Sequence, residues 1–122
     1  MISAISHITF IVQDMERSAL FFTKVFDAKE IYSGSGVKYF LINDLWIALN
    51  KGESPLERTY NHIAFQIQES EMDTYIARIK AVGAEFRPDR STRKIGEGRS
   101  IYFYDFDNHL FELHTGTLDE RL

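Results

Sequence analysis

Two histidines stand in matching settings and could bind the same metal ion. The first begins a His-Ile-Thr-Phe stretch at His7, and the second begins a His-Ile-Ala-Phe stretch at His62. The offset of 55 residues continues through both segments until each reaches an acidic residue, Asp14 or Glu69. A single histidine in a strand is usually structural. Two histidines at equivalent positions of a repeat are better candidates for metal ligands, because neutral imidazole binds divalent first-row metals well.

The direction of these side chains follows from strand alternation. Successive side chains of a strand point to opposite faces of the sheet. In the segment 7–12 the apolar residues occupy alternate positions and predict the face that packs under a helix, which places His7 on the other face. The segment 62–67 divides in the same way and places His62 on the corresponding face. We therefore expect both imidazoles to face the concave side of the sheet.

A carboxylate joins the two histidines on this face. In the segment 109–114, Phe111 faces the helix, so Glu112 and His114 point to the concave side and His109 to the packing side. Two imidazoles and one carboxylate can hold a divalent metal while leaving positions open for water or substrate. We expect His114 to lie behind Glu112 or to contact substrate, although a ligand role stays open, and His109 to be structural or exposed.

The repeat also predicts which ligand position is empty. Aligning 43–48 with 107–112, through the similar turns Asn43-Asp44 and Asp107-Asn108, places Ala48 opposite Glu112. A strict duplication would offer four ligand positions, and this chain fills three of them. An open coordination site suits Lewis-acid catalysis better than structural metal binding.

The predicted strands and helices that position these residues form two copies of one unit. Each strand with a histidine is followed by a helical pattern, and Ser70 with Asp73 forms a helix start signal in the second copy. Strand patterns follow at 37–42 and 45–49, and at 100–104 and 109–114, with short strands near 30–33 and 85–88. We predict an α+β fold of two tandem β-α-β-β-β halves, 1–52 and 57–116 within a single domain 1–122, forming a curved mixed sheet. The alternative is one α+β sandwich with chance similarity.

Composition excludes several classes of protein. The 122 residues are 44% hydrophobic and include 10 Phe and 6 Tyr, enough for a packed core. The net charge of −4 is spread along the chain and offers no basic surface for nucleic acid or an anionic membrane. The absence of cysteine removes disulfides, zinc–thiolate sites and a thiol nucleophile. No apolar run approaches a membrane span, and no signal peptide pattern opens the chain, so we expect a cytoplasmic protein.

Longer stretches resemble a known family. The strings ERTYNHIAF, LWIALN and EGRSIYFYDFDNHLFELHTGTLDERL are similar to the fosfomycin-resistance metalloenzymes, across essentially the whole chain. These belong to the vicinal oxygen chelate superfamily, which includes the glyoxalases and extradiol dioxygenases. The resemblance implies a Mn²⁺ site formed by His7, His62 and Glu112. It also implies a homodimer with shared active sites, for which exposed sheet edges give an independent reason.

The resemblance further implies that the protein opens the epoxide of fosfomycin, a small phosphonate, and it identifies the surrounding residues. The phosphonate needs hydrogen-bond donors and cations, which the segment 90–100 supplies, although that segment could equally be a solvated loop. The family pattern implies a catalytic role for Thr9, and the place of Tyr39 on the strand 37–42 suggests a second catalytic role there. The family pattern also implies substrate contacts for Trp46, Tyr60, Arg93, Lys94, Ser100, Tyr102 and Arg121.

The nucleophile depends on one position. The resemblance implies that hydrolytic members of the family have a longer segment before the Leu-Trp strand, and that this segment carries a glutamate that activates water. Here the segment 32–40 is short, and Val37 occupies that position. A low-molecular-weight thiol needs no strong base, so we favour thiol addition, with Tyr39 orienting the thiol. Water remains the alternative, with Glu30 or Asp44 as a substitute base.

Two other functions stay open. Relatives with this fold sequester bleomycin-type antibiotics without chemistry, but such a module does not need the three metal ligands. A glyoxalase-like isomerase or a dioxygenase is less favoured, because glyoxalases typically fill the ligand position that Ala48 occupies here.

Overall fold

The computed structural model describes residues 1–55, 57–88 and 98–122. The chain divides into a first unit, Met1–Leu56, and a second unit, Glu57–Leu122. Each unit repeats the predicted order of strand, helix and three strands, and each forms its own four-stranded mixed sheet. The predicted pair of β-α-β-β-β halves is therefore confirmed. In the described part of the chain, no helix combines the length and the apolar character needed to cross a membrane.

The first unit consists of β1 (His7–Val12), α1 (Met15–Phe26), β2 (Lys29–Gly34), β3 (Val37–Ile42) and β4 (Leu45–Lys51). The strand order is β1-β4-β3-β2, with β1 parallel to β4 and the other pairs antiparallel. The side chain of Asp14 caps α1 by accepting a hydrogen bond from the Arg17 amide, and Asp27 ends the helix in the left-handed conformation.

Aromatic packing holds α1 against this sheet. Phe22 is fully buried, and its ring lies 5.9 Å from that of Phe10 on β1 and 6.3 Å from that of Phe40 on β3. Along β1, Phe10 and Val12 are buried while His7 and Thr9 are exposed. The predicted alternation of β1 is confirmed, and the polar side chains are left on the face opposite the helix.

The second unit consists of β5 (His62–Gln66), a short 3-10 helix (Glu69–Glu71), α2 (Met72–Ala81), β6 (Phe86–Arg87), β7 (Ser100–Tyr104), β8 (Leu110–His114) and α3 (Leu118–Arg121). The strand order is β5-β8-β7-β6, with β5 parallel to β8. The stacked rings of Phe65 and Phe111, with centroids 6.4 Å apart, join β5 to β8 on the packing face.

The helix start signal predicted at Ser70 and Asp73 is wrong, because the cap lies two residues earlier. The capping interaction joins Gln68 and Glu71 and does not use Ser70 and Asp73. The backbone N–H of Gln68 donates to the Glu71 carboxylate at 3.0 Å. The 3-10 turn at Glu69–Glu71 explains the difference, because it precedes α2 and takes the cap with it.

Strand register confirms the predicted equivalence of Ala48 and Glu112. Thr9 lies opposite Ala48 in the β1–β4 pair, and Ala64 lies opposite Glu112 in the β5–β8 pair. Thr9 and Ala64 each stand two residues after the histidine of their unit, so their partners are equivalent as well.

The two hairpin turns, in contrast, differ in type. The β3–β4 turn is the two-residue Asn43-Asp44, whereas the β7–β8 turn holds five residues, from Asp105 to His109. The Asp105 carboxylate organises the longer turn by accepting hydrogen bonds from the backbone amides of Asp107 and His109, both at 2.9 Å. The similarity of Asn43-Asp44 to Asp107-Asn108 is therefore one of sequence and not of turn length.

Candidate metal centre and pocket

The second unit brings His62 and Glu112 into direct contact. Strands β5 and β8 are parallel neighbours, and His62 Nε2 lies 2.9 Å from Glu112 Oε1. The Glu112 side chain is only 8% exposed and that of His62 is 22% exposed, so the pair is mostly screened from water. The predicted placement of these two side chains on one face of the sheet is confirmed.

The hydrogen bond between His62 and the Tyr60 backbone determines which nitrogen of the His62 ring carries the hydrogen. His62 Nδ1 lies 2.6 Å from the backbone carbonyl oxygen of Tyr60, and because a carbonyl only accepts, Nδ1 must carry the hydrogen. In the neutral ring Nε2 is then an acceptor, facing a carboxylate oxygen that is also an acceptor. Two acceptors 2.9 Å apart require a proton or a cation between them. The donor set therefore suits a divalent metal ion, and the Nδ1 hydrogen bond orients the ring as in known metal sites.

The second oxygen of Glu112 is held by Ser100. Ser100 Oγ lies 2.5 Å from Glu112 Oε2 and 2.8 Å from His114 Nδ1, with both Ser100 and Glu112 buried. In the β7–β8 register Ser100 pairs with His114. The family resemblance implies a substrate contact for Ser100, and the sequence gives no sign of its contact with Glu112. Strand alternation groups Glu112 with His114, and it would have indicated this contact if the β7–β8 register had been known.

Two tyrosines extend the polar face. Tyr102 lies opposite Glu112 in the β7–β8 register, and the Tyr60 hydroxyl donates to the Tyr102 hydroxyl at 3.0 Å. Burial raises the pKa of Tyr102, and its hydrogen bond with Tyr60 and the negative charge of Glu112 raise it further. Tyr102 therefore remains neutral and keeps a hydroxyl hydrogen to donate at physiological pH.

A pocket of about 420 Å³ opens beside these residues in the second unit. Its wall combines the polar face of β7 and β8 with the C-terminal segment, so that a neutral hydroxyl, a carboxylate and a guanidinium share one cavity. Its lining residues are Ala64, Tyr102, Glu112, His114, Gly116, Thr117, Leu118 and Arg121. The structure thus brings the predicted residues Tyr102 and Arg121 to the same pocket as Glu112.

The first unit groups other predicted residues around His7. The His7 ring packs on the Trp46 ring with centroids 4.1 Å apart, and Trp46 makes an edge contact of 5.1 Å with Tyr39. His7 Nδ1 lies 3.0 Å from the hydroxyl of Ser6, and Thr9 lies two residues along the same face of β1. Trp46 Nε1 is buried and makes no hydrogen bond within the described residues, so it can donate to a bound group.

The remaining predicted residues differ in how far the structure describes them. Arg93 and Lys94 lie outside the described residues. His109 binds the buried Asp105 carboxylate through Nδ1 at 2.7 Å, in agreement with a structural role. The described residues contain no group of three His, Asp or Glu side chains arranged to hold a metal ion, so the three-ligand set of His7, His62 and Glu112 stays a prediction.

Comparison with known proteins identifies the family. The sequence model of the Glyoxalase/Bleomycin resistance protein/Dioxygenase superfamily matches residues 4–113. The fosfomycin resistance protein FosX of Listeria innocua is 60% identical, over 100% of this chain and 96% of that protein. The metallothiol transferase FosB of Shouchella clausii is 40% identical, over 100% of this chain and 86% of that protein.

Solved structures agree with the sequence relatives. The crystal structure of a point mutant of FosX from Listeria monocytogenes, complexed with Mn(II) and 1S,2S-dihydroxypropylphosphonic acid, has a TM-score of 0.94 and 62% identity. It covers 100% of this chain and 97% of that chain. FosX from Mesorhizobium loti has a TM-score of 0.90 and 55% identity, over 99% of this chain and 98% of that chain. The chain therefore belongs to the Glyoxalase/Bleomycin resistance protein/Dioxygenase superfamily, in the family of the fosfomycin resistance proteins.

Proposed function

We propose that this protein inactivates fosfomycin by opening its epoxide ring with the help of a bound divalent metal ion, Mn²⁺, held by His7, His62 and Glu112. The observation that carries the proposal is the His62–Glu112 pair, whose two facing acceptor atoms 2.9 Å apart suit a shared cation. The Mn(II) complex of the FosX relative supports the choice of metal.

The chemistry needs three contributions from the site. A bound Mn²⁺ would act as a Lewis acid that withdraws charge from the epoxide oxygen as the C–O bond breaks. The phosphonate requires cations and donors, which Arg121 and the neutral Tyr102 supply in the pocket of the second unit. The indole N–H of Trp46, which makes no hydrogen bond in the described part of the chain, offers one more donor in the first unit beside His7.

For the nucleophile we favour a low-molecular-weight thiol. Val37 begins β3, and its side chain cannot accept a proton. The family resemblance implies that hydrolytic members carry at this position the glutamate that activates water. A thiolate needs no such base near neutral pH. Tyr39 lies two residues further along the same strand, in contact with Trp46, where it could orient the thiol.

Water is the second candidate, and the relatives favour it. FosX proteins are 53–60% identical to this chain, whereas the FosB metallothiol transferases are 34–40% identical. The FosX complex contains 1S,2S-dihydroxypropylphosphonic acid, the diol that addition of water to the epoxide would give. Hydrolysis by this chain would require a proton acceptor other than residue 37.

Product masses decide between the two nucleophiles. Purified protein is incubated with fosfomycin and Mn²⁺, with and without a panel of thiols, and the products are analysed by mass spectrometry. We expect a thiol adduct whose formation requires both metal and thiol. A product heavier than fosfomycin by one water, formed at full rate without thiol, would establish hydrolysis, and recovery of intact fosfomycin in every reaction would indicate a sequestering protein.

Two variants at residue 37 sharpen this test. We expect Val37→Glu to form the diol without thiol, because it restores a carboxylate at the position of the missing base. Val37→Gln is the matched control, since the glutamine side chain is similar to glutamate in size and polarity but accepts no proton under these conditions. Equal diol formation by both variants would show that residue 37 does not act as a base.

We also propose that the protein works as a homodimer in which His7 of one copy completes the site of the other. Mixing two inactive variants tests the arrangement. If each site takes His7 from one chain and His62 from the other, a heterodimer of His7→Ala and His62→Ala contains one intact site. Activity should then return when the two variants are unfolded and refolded together. No recovery, despite heterodimer formation, would place both histidines of a site on one chain.

A further inference from the structure

We propose that His114 and Ser100 act as positioning residues that fix the orientation of the Glu112 carboxylate for metal binding. We call the hydrogen-bonded series His114, Ser100 and Glu112 the relay. The inference rests on the proposed function in one respect, since it takes Glu112 to be a metal ligand. It assigns Ser100 a task that differs from the substrate contact expected from sequence.

Strand register places the three side chains together. Glu112 and His114 are two residues apart on β8 and therefore share a face, while Ser100 lies directly opposite His114 on β7. Ser100 Oγ stands between the other two, 2.5 Å from Glu112 Oε2 and 2.8 Å from His114 Nδ1. The direct distance from His114 Nδ1 to Glu112 Oε2 is 3.5 Å, so the histidine reaches the carboxylate best through the serine.

Counting hydrogens fixes the direction of the relay. A serine hydroxyl has one hydrogen to donate, and an ionised carboxylate can only accept. The contact between Ser100 and Glu112 is therefore a hydrogen bond from the serine to the carboxylate, and the carboxylate charge assists it. Ser100 Oγ then has only lone pairs left for His114, so His114 Nδ1 must carry a hydrogen and donate it to Ser100.

The relay holds one oxygen of Glu112 while the other faces His62. Oε2 is held by Ser100, and Oε1 faces His62 Nε2 at 2.9 Å. His62 is held in the same manner, since its Nδ1 donates to the Tyr60 carbonyl. Both prospective ligand atoms of the second unit are thus oriented by a partner on their far side before a metal binds. Partners of this kind typically contribute 10–100-fold to metal affinity.

Metal affinity measured without substrate tests the relay. We would determine the Kd for Mn²⁺ from the electron paramagnetic resonance of the free ion, using full-length protein whose folding is verified by circular dichroism. Ser100→Ala should weaken binding by about 10–100-fold. Ser100→Thr keeps the hydroxyl and should restore binding close to that of the wild type.

Two substitutions of His114 test the direction of the hydrogen bond. The amide nitrogen of asparagine can occupy the place of Nδ1, so His114→Asn should bind Mn²⁺ nearly as well as the wild type. Glutamine places its amide near Nε2, so His114→Gln should lose affinity as Ser100→Ala does. His109→Asn is the matched control, because His109 binds Asp105 at the turn and has no place in the relay. Unchanged affinity in both Ser100→Ala and His114→Gln would overturn the proposal.

A second measurement tests the relay without metal. Long-range ¹H–¹⁵N correlation spectra of the wild-type apoprotein, at mildly alkaline pH, report which nitrogen of His114 carries the hydrogen. We expect the hydrogen on Nδ1, and finding it on Nε2 would refute the relay. If the wild type binds no Mn²⁺, the proposed function fails, but this spectrum still decides the relay.

Discussion

Replacing Glu112 with glutamine should separate the stability of the apoprotein from its capacity to bind metal. In the wild type, Glu112 Oε1 lies 2.9 Å from His62 Nε2, and Oε2 accepts from Ser100. The glutamine amide has one acceptor and one donor at these places. Its oxygen can accept from Ser100 while its nitrogen donates to neutral His62, so that every polar atom of the pair is satisfied.

The structure gives a magnitude for the apoprotein. Glu112→Gln exchanges one buried hydrogen-bonded group for another, and we expect the free energy of unfolding to change by less than about 1 kcal/mol. Glu112→Ala instead leaves the hydroxyl of buried Ser100 without this acceptor and removes the partner of half-buried His62. At about 1–3 kcal/mol for each buried group left unsatisfied, and less for the half-buried ring, we expect a loss of about 2–4 kcal/mol.

Metal binding should respond in the opposite way. A ligand present at about 100 times its Kd stabilises the folded state by about 2.7 kcal/mol. A chain of 122 residues unfolds with an entropy of about 0.26 kcal/mol per kelvin, so this corresponds to a rise in Tm of about 10 °C. The wild type should show that rise with Mn²⁺. Neither variant should, because both lack the carboxylate.

Urea titrations of the apoproteins and thermal scans with and without Mn²⁺ provide both measurements. An apoprotein of Glu112→Gln as unstable as that of Glu112→Ala would show that the glutamine amide does not make hydrogen bonds to both His62 and Ser100. A full Mn²⁺-dependent rise in Tm for Glu112→Gln would show that Glu112 is not a ligand.

Three further predictions concern stability. Asp105→Ala should lower the free energy of unfolding by about 2–4 kcal/mol in urea titrations, because this buried carboxylate accepts two backbone amide hydrogen bonds in the β7–β8 turn. The hydrogen bond to Glu30 raises the pKa of Lys38 above its ordinary 10.5, so the contribution of the pair is complete below that pH and is lost as the pH rises through the folded-state value. Stability should therefore fall less steeply above about pH 10.5 in Lys38→Met than in the wild type, and equal slopes would contradict this. Gly98→Ala should destabilise the protein by more than the roughly 1–2 kcal/mol of a left-handed residue, because the added Cβ would lie 2.5 Å from the Gly116 amide nitrogen, and an unchanged urea midpoint would contradict it.

Much of the fold was predictable because strand alternation has a period of two. The assignment of apolar residues to one face of each strand placed His62 and Glu112 together, since any other phase would expose the core. The equivalence of Ala48 and Glu112 followed from the same repeat and is confirmed by the register of the parallel strands. These features depend on long-range burial, which the pattern of residues records directly.

The contact of Ser100 with Glu112 could not be predicted, because it depends on the length of one turn. A two-residue turn at Asp107-Asn108 would have placed Ser100 opposite Thr115. The observed five-residue turn places it opposite His114 and shifts the pairing by one residue. A shift of one residue exchanges the two faces relative to the neighbouring strand. The Asp105 carboxylate makes the longer turn possible, through side-chain hydrogen bonds that no strand or helix periodicity reveals.

The matching registers of the two sheets have a consequence for the ancestry and design of the protein. In the first unit, the positions equivalent to the serine, the glutamate and the histidine of the relay hold Val37, Ala48 and Asn50, with Val37 paired to Asn50 as Ser100 is to His114. The duplicated halves have therefore kept a common backbone while the charges of their side chains diverged. The first half has uncharged residues at the three positions where the second half has the relay. Three substitutions at those positions would transfer the relay to the first half without changing the length of a strand or a turn.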